Sequence, residues 1–309
     1  MLNNVVVKTP SVSPSAAFIT DDSVAVLRFA VEALAAGKSA VLVTLTDIEG
    51  GAARALGAQM CVREDGLYCG MVSGGCVENA VAFEALETLA CGEDRTVRYG
   101  KGSPWFDIVL PCGGGITLTL HPLRSARPLL AVLNNLAQRK PAGLRYCPTS
   151  RQLTAVTQQC ETGWRSGVFE RGFRPCVQIV LHGQSVEAQA TAALAGAAGY
   201  DVVCWGDGHL TEVAIDADSA VVLLWHDLHR ELPVLEAALS ARPFYIGALG
   251  SQRTHARRSD LLQQRGWTPN DIARIKAPIG LFPKARDASS LALSVLSDIA
   301  FTRQTDIAP

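Results

Sequence analysis

The stretch Cys176-Val177-Gln178-Ile179-Val180-Leu181-His182-Gly183 is an apolar run that stops at a glycine, and the alanine-rich segment Glu187 to Ala198 follows it. A short apolar run, bounded by a turn residue and succeeded by a helical pattern, reads as the first strand and helix of a βαβ unit. Gly199 closes that helix, since glycine reaches the left-handed conformation in which helices commonly end. Further strands are expected over Asp201 to Trp205, Ser219 to Trp225 and Phe244 to Leu249, with helices between or after them. Strands that alternate with helices pair in parallel, so residues 175–309 are expected to form a Rossmann-like domain with a doubly wound parallel sheet. The last helix, Ser289 to Ile299, carries Leu291, Val295 and Ile299 at helical spacing.

In such a sheet the turn after the first strand binds dinucleotides when it reads GxGxxG with an acidic residue about 20 positions on. Here it reads Gly183-Gln184-Ser185-Val186-Glu187-Ala188, with only the first glycine present. Ser185 stands where pyrophosphate needs a bare backbone, Glu187 would put negative charge beside the phosphates, and Asp207 falls in roughly the ribose-binding place. The first two features argue against NAD(P) at this turn. A second candidate anion site is Gly250-Ser251-Gln252-Arg253-Thr254-His255-Ala256-Arg257-Arg258, where a helix N-terminus combines with three arginines. A solvated helix face is the plainer account of those arginines.

Upstream, residues 1–174 are expected to form an N-terminal mixed α/β domain. Asp21-Asp22-Ser23 caps a helix with Val24, Leu27, Val31 and Leu34 at helical spacing up to Gly37. Ala40 to Leu45 is a buried strand, Gly50 to Ala58 a loop of small residues carrying Arg54, and strands follow over Gln59 to Arg63 and Leu67 to Val72. Two loops then combine glycine with cysteine. Ser73-Gly74-Gly75-Cys76 opens a helix running to about Ala90, and Pro111-Cys112-Gly113-Gly114-Gly115 lies between strands Ile108 to Leu110 and Ile116 to Leu120. Glycines let backbone N–H groups crowd around a ligand, while a thiol offers a nucleophile or a soft metal ligand. The helix N-terminus adds a preference for negative charge beside Cys76. The plainer alternatives are a tight strand-to-helix turn at the first loop and a β-bulge or hairpin turn at the second. Beyond Pro122 a short helix over Pro128 to Gln138 and strands near Gln152 to Gln159 and Trp164 to Glu170 complete this half.

The length of 309 residues suits two domains, and 48% hydrophobic residues suffice to fill their cores. A formal net charge of -1 argues against a nucleic-acid surface, which needs a basic excess. Met1 to Ser15 lacks a basic region followed by an apolar run, and no stretch is long and apolar enough to span a bilayer, so a cytoplasmic protein is expected. Nine cysteines, an odd number without CxxC or HExxH spacing, argue for reduced thiols and against a disulfide framework or structural zinc. Most of them, including Cys91, Cys176 and Cys204, are expected to be small apolar fillers.

Five ordered blocks resemble the XdhC/CoxI family of accessory proteins for molybdenum hydroxylases such as xanthine dehydrogenase, CO dehydrogenase and aldehyde oxidoreductases. They are Val72-Ser73-Gly74-Gly75-Cys76-Val77-Glu78, Leu110-Pro111-Cys112-Gly113-Gly114, His226-Asp227, Tyr245-Ile246-Gly247-Ala248-Leu249-Gly250-Ser251 and Ala277-Pro278-Ile279-Gly280-Leu281. The loop Gly50 to Ala58 is similar to the family's GSxPRxxGA loop, with Gly51 for Ser and Ala53 for Pro, and with Arg54, Gly57 and Ala58 kept. The family's usual GAGH-type turn has become His182-Gly183-Gln184-Ser185. The resemblance implies a non-enzymatic chaperone that binds molybdenum cofactor, as molybdopterin or its cytosine dinucleotide form, supports its sulfuration and delivers it to an apo-hydroxylase. It implies Cys76 and Cys112 at the molybdenum end, as possible metal contacts. Around them it places the loop residues Ser73, Gly74, Gly75, Gly113 and Gly114, with Arg54 on anionic oxygens and Gly183, Ser251 and Arg253 as further cofactor contacts. The implied partners are the hydroxylase, a cysteine desulfurase as sulfur donor and a cofactor-modifying nucleotidyltransferase, and a homodimer is the expected assembly. The rival readings are an NAD(P)-dependent oxidoreductase with a reactive cysteine and a cofactor-free scaffold for hydroxylase maturation.

Overall fold

The computed structural model describes residues 12–103, 110–205, 214–225, 227–282 and 285–305. Ile108, Val109, Asp207 and His226, to which the sequence assigns places in a strand, a ribose site and a motif, lie outside the described residues. The chain divides into two compact units, Met1–Arg174 and Pro175–Pro309.

In the first unit β1 (Ser15–Phe18), β2 (Ala40–Glu49), β3 (Gln59–Arg63), β4 (Leu67–Gly70), β5 (Arg95–Gly100) and β6 (Gly115–Pro122) form one sheet in the order β1-β4-β3-β2-β6-β5. Only the β1–β4 pair is parallel. The central strand β2 explains its own composition, because side chains alternate across a strand and both faces of this one are covered. Val41, Val43 and Leu45 join Val81, Ala82 and Ala85 of α2 (Glu78–Cys91). Ala40 and Leu42 face the other way, onto α1 (Ser23–Ala35) and α3 (Arg127–Ala137). α1 starts where Asp22 Oδ1 accepts from the Val24 amide at 2.8 Å and buries the stripe Val26, Leu27, Ala30 and Ala33.

A second, antiparallel sheet contains β7 (Ala142–Cys147), β8 (Gln152–Val156), β9 (Gly163–Arg165) and β10 (Val168–Phe173) in the order β8-β7-β10-β9. The single strand expected over Trp164 to Glu170 is therefore a hairpin. Ser166 and Gly167 both take positive φ, 49° and 80°, and a two-residue turn of that hand suits the twist of paired strands.

The second unit is a five-stranded parallel sheet of β11 (Gln178–His182), β12 (Asp201–Cys204), β13 (Ser219–Leu223), β14 (Tyr245–Ala248) and β15 (Ile275–Lys276), ordered β12-β11-β13-β14-β15. Its helices cover both faces. α4 (Val186–Ala197) and the C-terminal helix α8 (Ala288–Thr305) pack with Ile179, Leu181 and Val222. α5 (Leu228–Ala241), α6 (Gln252–Gln264) and the short α7 (Pro269–Ile272) pack with Val180, Val221 and Ile246. This is the doubly wound, Rossmann-like sheet expected from the alternation after residue 175, and all five residues of β11 are buried, as a strand covered on both faces requires.

Candidate functional site

Both glycine–cysteine loops reach one place. Ala52 and Ala53 after β2, Val72, Ser73, Gly74 and Cys76 before α2, and Leu110, Pro111, Cys112 and Ile116 around the start of β6 line a cleft of about 380 Å³ in the first unit. Both thiols are exposed. Among the described residues the lining holds no cationic side chain, so the cleft offers two soft sulfur donors against a mainly apolar wall.

The first loop is held by a carboxylate. Glu78, the first residue of α2, is buried, and its Oε1 accepts from the amides of Val72 at 3.0 Å and Ser73 at 2.7 Å. Its Oε2 accepts from the Ser73 hydroxyl at 2.7 Å and the Val77 amide at 3.3 Å. Ser73 Oγ in turn accepts from the Cys76 amide at 3.1 Å. Val77, the N-cap, makes no side-chain cap, so Glu78 supplies the anion that the helix N-terminus favours. Ser73 is thus a strut of the loop as well as a lining residue. Gly75 takes φ +98°, a left-handed conformation that suits glycine, and a Cβ on Gly74 would stand 3.4 Å from that of Ala53. Among the described residues, neither the Gly74 nor the Gly75 amide donates to a partner.

The second loop is held by close backbone packing. The Gly113 amide donates to the Leu110 carbonyl at 2.8 Å, with Gly113 at φ +68°. A Cβ on Gly114 would overlap the Gly51 carbonyl oxygen and stand 2.8 Å from that of Glu49; one on Gly115 would overlap the Lys101 carbonyl oxygen. The glycine triplet lets three chain segments touch behind Cys112.

The basic residues nearby are committed elsewhere. Arg54, expected to hold anionic oxygens, does not line the cleft; its Nη1 pairs with Asp21 at 3.0 Å and its Nη2 lies 3.5 Å from Met71 Sδ. Lys101 and Arg98 both pair with Glu49, and the Lys101 hydrogen bond and charge, then Arg98, hold that carboxyl below the usual range.

Gly183, Ser251 and Arg253 belong to the second unit and contribute nothing to this cleft's lining. A Cβ on Gly183 would stand 2.8 Å from the Leu224 carbonyl oxygen, so this glycine serves the approach of two strand ends. Ser185 caps α4 by accepting from the Ala188 amide at 3.3 Å, and Ser251 caps α6 by accepting from the Thr254 amide at 3.2 Å. Of the three arginines expected around a phosphate, Arg253 and Arg257 are exposed, but Arg258 is fully buried. Its Nε and Nη2 donate to Glu231 Oε2 at 2.9 and 2.7 Å, and Nη2 also donates to the Leu249 carbonyl. Two of its three guanidinium nitrogens are thus bonded inside the fold.

The cysteines expected as fillers also need correction. Cys91, Cys176 and Cys204 are exposed, because they sit at a helix end, before a strand and on the sheet's edge strand, and only Cys61 and Cys69 are buried. Among the described residues no group of three or more His, Cys, Asp or Glu side chains could hold a metal ion. The organising role of Glu78 is the feature that sequence reasoning missed, although an acid at the first position of a helix is a readable signal.

Fold and site together define a two-unit α/β protein, with a thiol-lined cleft in its mixed unit and a Rossmann-type second unit. Residues 33–100 match the model of the XdhC and CoxI family, and residues 179–299 match the XdhC Rossmann domain. The chain is 62% identical over 297 residues to the molybdenum cofactor insertion chaperone PaoD of Escherichia coli K12, covering 94% of this chain and 92% of that protein. It belongs to the XdhC/CoxI family. It is also 25% identical over 245 residues to the uncharacterized protein YqeB of the same organism, covering 78% of this chain and 40% of that one. A solved structure described as a xanthine dehydrogenase from Bacillus halodurans shares the fold, with a TM-score of 0.70 at 22% identity over 90% of this chain and 96% of that one.

Proposed function

We propose that this protein is a molybdenum cofactor chaperone: it takes the cofactor as cargo, supports sulfuration of the bound metal centre and hands it to an apo-enzyme of the molybdenum hydroxylase type. The observation that carries this reading is the convergence of Cys76 and Cys112 on one cleft whose described lining is mainly apolar. Molybdenum held by dithiolene and sulfido sulfur is a soft centre, and soft thiolates suit such a metal better than carboxylates do. The apolar wall of Val72, Leu110 and Ile116 limits solvent at that end. The likeness to the insertion chaperone from Escherichia coli supports the same cargo and the same kind of recipient. The cofactor's phosphate, in its mononucleotide or cytosine dinucleotide form, lies beyond this cleft in our reading, since among the described residues the lining offers it no cation. A cysteine desulfurase is the proposed source of sulfur. Among the described residues no helix is long and apolar enough to cross a membrane.

The test is retention of cofactor by the purified full chain after incubation with free molybdenum cofactor, read as molybdenum content and oxidised-pterin fluorescence. Wild type should retain it. Cys76→Ala and Cys112→Ala should each weaken retention by about tenfold or more, the equivalent of one lost soft ligand contact. Retention unchanged in both variants would sink the thiol site, and no retention by wild type would sink the chaperone reading.

A further inference from the structure

We infer that Glu78 is a positioning residue: its buried carboxylate, through Ser73, sets where Cys76 stands on the rim of the cleft. The inference rests on the proposed function for its purpose, though its geometry does not. Four donors converge on the Glu78 carboxylate: the amides of Val72, Ser73 and Val77, and the Ser73 hydroxyl. Hydrogen bonds to an ionised acceptor are about twice as strong as neutral ones, and burial keeps water from competing for them. The Ser73 oxygen, donating to Glu78, accepts from the amides of Cys76 at 3.1 Å and Val77 at 3.4 Å. A chain of hydrogen bonds therefore runs from the carboxylate to the backbone of Cys76, within a loop whose glycines have no side chains to hold it. The anion preference of this loop and of the α2 N-terminus is met from inside. Gly74 and Cys76 line the cleft, so the loop presents a thiol in a set position there.

The experiment is residue-resolved alkylation of the full chain with iodoacetamide, read by mass spectrometry, on wild type, Glu78→Gln, Glu78→Asp and Ser73→Ala. Cofactor retention is measured alongside. Cys112, on the other glycine loop of the same cleft, is the internal reference, because a substitution that merely loosens the unit speeds both thiols together. Glu78→Gln removes the buried negative charge and releases the loop. It should raise the Cys76-to-Cys112 rate ratio by about fivefold or more while lowering retention. Glu78→Asp should recover part of both effects. Ser73→Ala, which breaks the chain of bonds but keeps the charge, should move the ratio in the same direction by less, and it carries the test if Glu78→Gln fails to fold. A ratio within about twofold of wild type in every variant that folds, or equal acceleration of the two thiols, overturns the inference. The ratio is read without cofactor, so a wild type that binds none would sink the proposed function and leave the positioning role to be decided on its own.

Discussion

The two cysteine loops hold their thiols on the same cleft by opposite means. The loop ending at Cys76 is tied by side-chain hydrogen bonds to Glu78, whereas the loop beginning at Cys112 is fixed by the absence of side chains, with Gly114 and Gly115 pressed against the carbonyls of Glu49, Gly51 and Lys101. The difference teaches what each loop tolerates. A hydrogen-bonded loop gives way in steps as single donors are lost, each worth on the order of 1 kcal/mol. A loop packed backbone against backbone has no flexible atom to move aside, so one added methyl group displaces the chain.

The largest expected effect follows from that contrast. In Gly114→Ala the new Cβ would meet backbone carbonyl oxygens on two neighbouring residues, and β2 and β6, which this loop joins to the cleft, are paired along their length and cannot easily part. The substitution should cost about 3 kcal/mol or more, and lower the melting temperature by roughly 10 °C for a unit of this size. A Gly114→Ala protein that melts within about 2 °C of wild type would show that the second loop yields like the first.

Much of this arrangement is legible in the sequence, and the part that is not has a physical cause. β2 and β11 are apolar along most of their length because they are covered on both faces, and such strands announce themselves. β1 and β5 do not: all four residues of β1 are exposed, β5 reads Arg-Thr-Val-Arg-Tyr-Gly, and both lie at sheet edges where burial imposes no pattern. The glycine–cysteine loops are visible as motifs, but their meeting depends on strand order, which pairs β2 with β6 across a long stretch of chain. Ser185 misleads for a different reason. Viewed as a failed second glycine of a dinucleotide turn it is an objection; viewed as the residue before a helix it is an ordinary N-cap, which is the role it plays. The pairing of Arg258 with Glu231, 27 residues away, leaves no local trace at all.

A smaller effect sharpens the comparison within a single loop. Gly113 neighbours Gly114, yet a Cβ there would meet nothing within 4 Å, so only its φ of +68° opposes a side chain. Gly113→Ala should therefore cost only about 1 kcal/mol, a third of its neighbour, and shift the melting temperature by about 2–4 °C. Equal losses at the two positions would mean that conformational strain, and not the approach of the Gly51 and Glu49 carbonyls, explains the triplet.

The smallest expected effect is an absence of reaction. Cys61 and Cys69 stand opposite each other on β3 and β4 and are buried in the core shared with α1. Burial raises the thiol of Cys61 well above its ordinary value and pushes that of Cys69 up to about 12. Since the thiolate is the reacting form, raising the pH to about 9 should leave both unlabelled in the native protein, while Cys76 and Cys112 are modified. Denaturant should then expose the buried pair together. Native labelling of Cys69 at the rate of Cys76 would mean that exposure does not separate the cleft thiols from the core ones. Labelling of Cys76 and Cys112 with Cys61 and Cys69 untouched would show instead that the two loops, so differently built, keep accessible what the core of the unit hides.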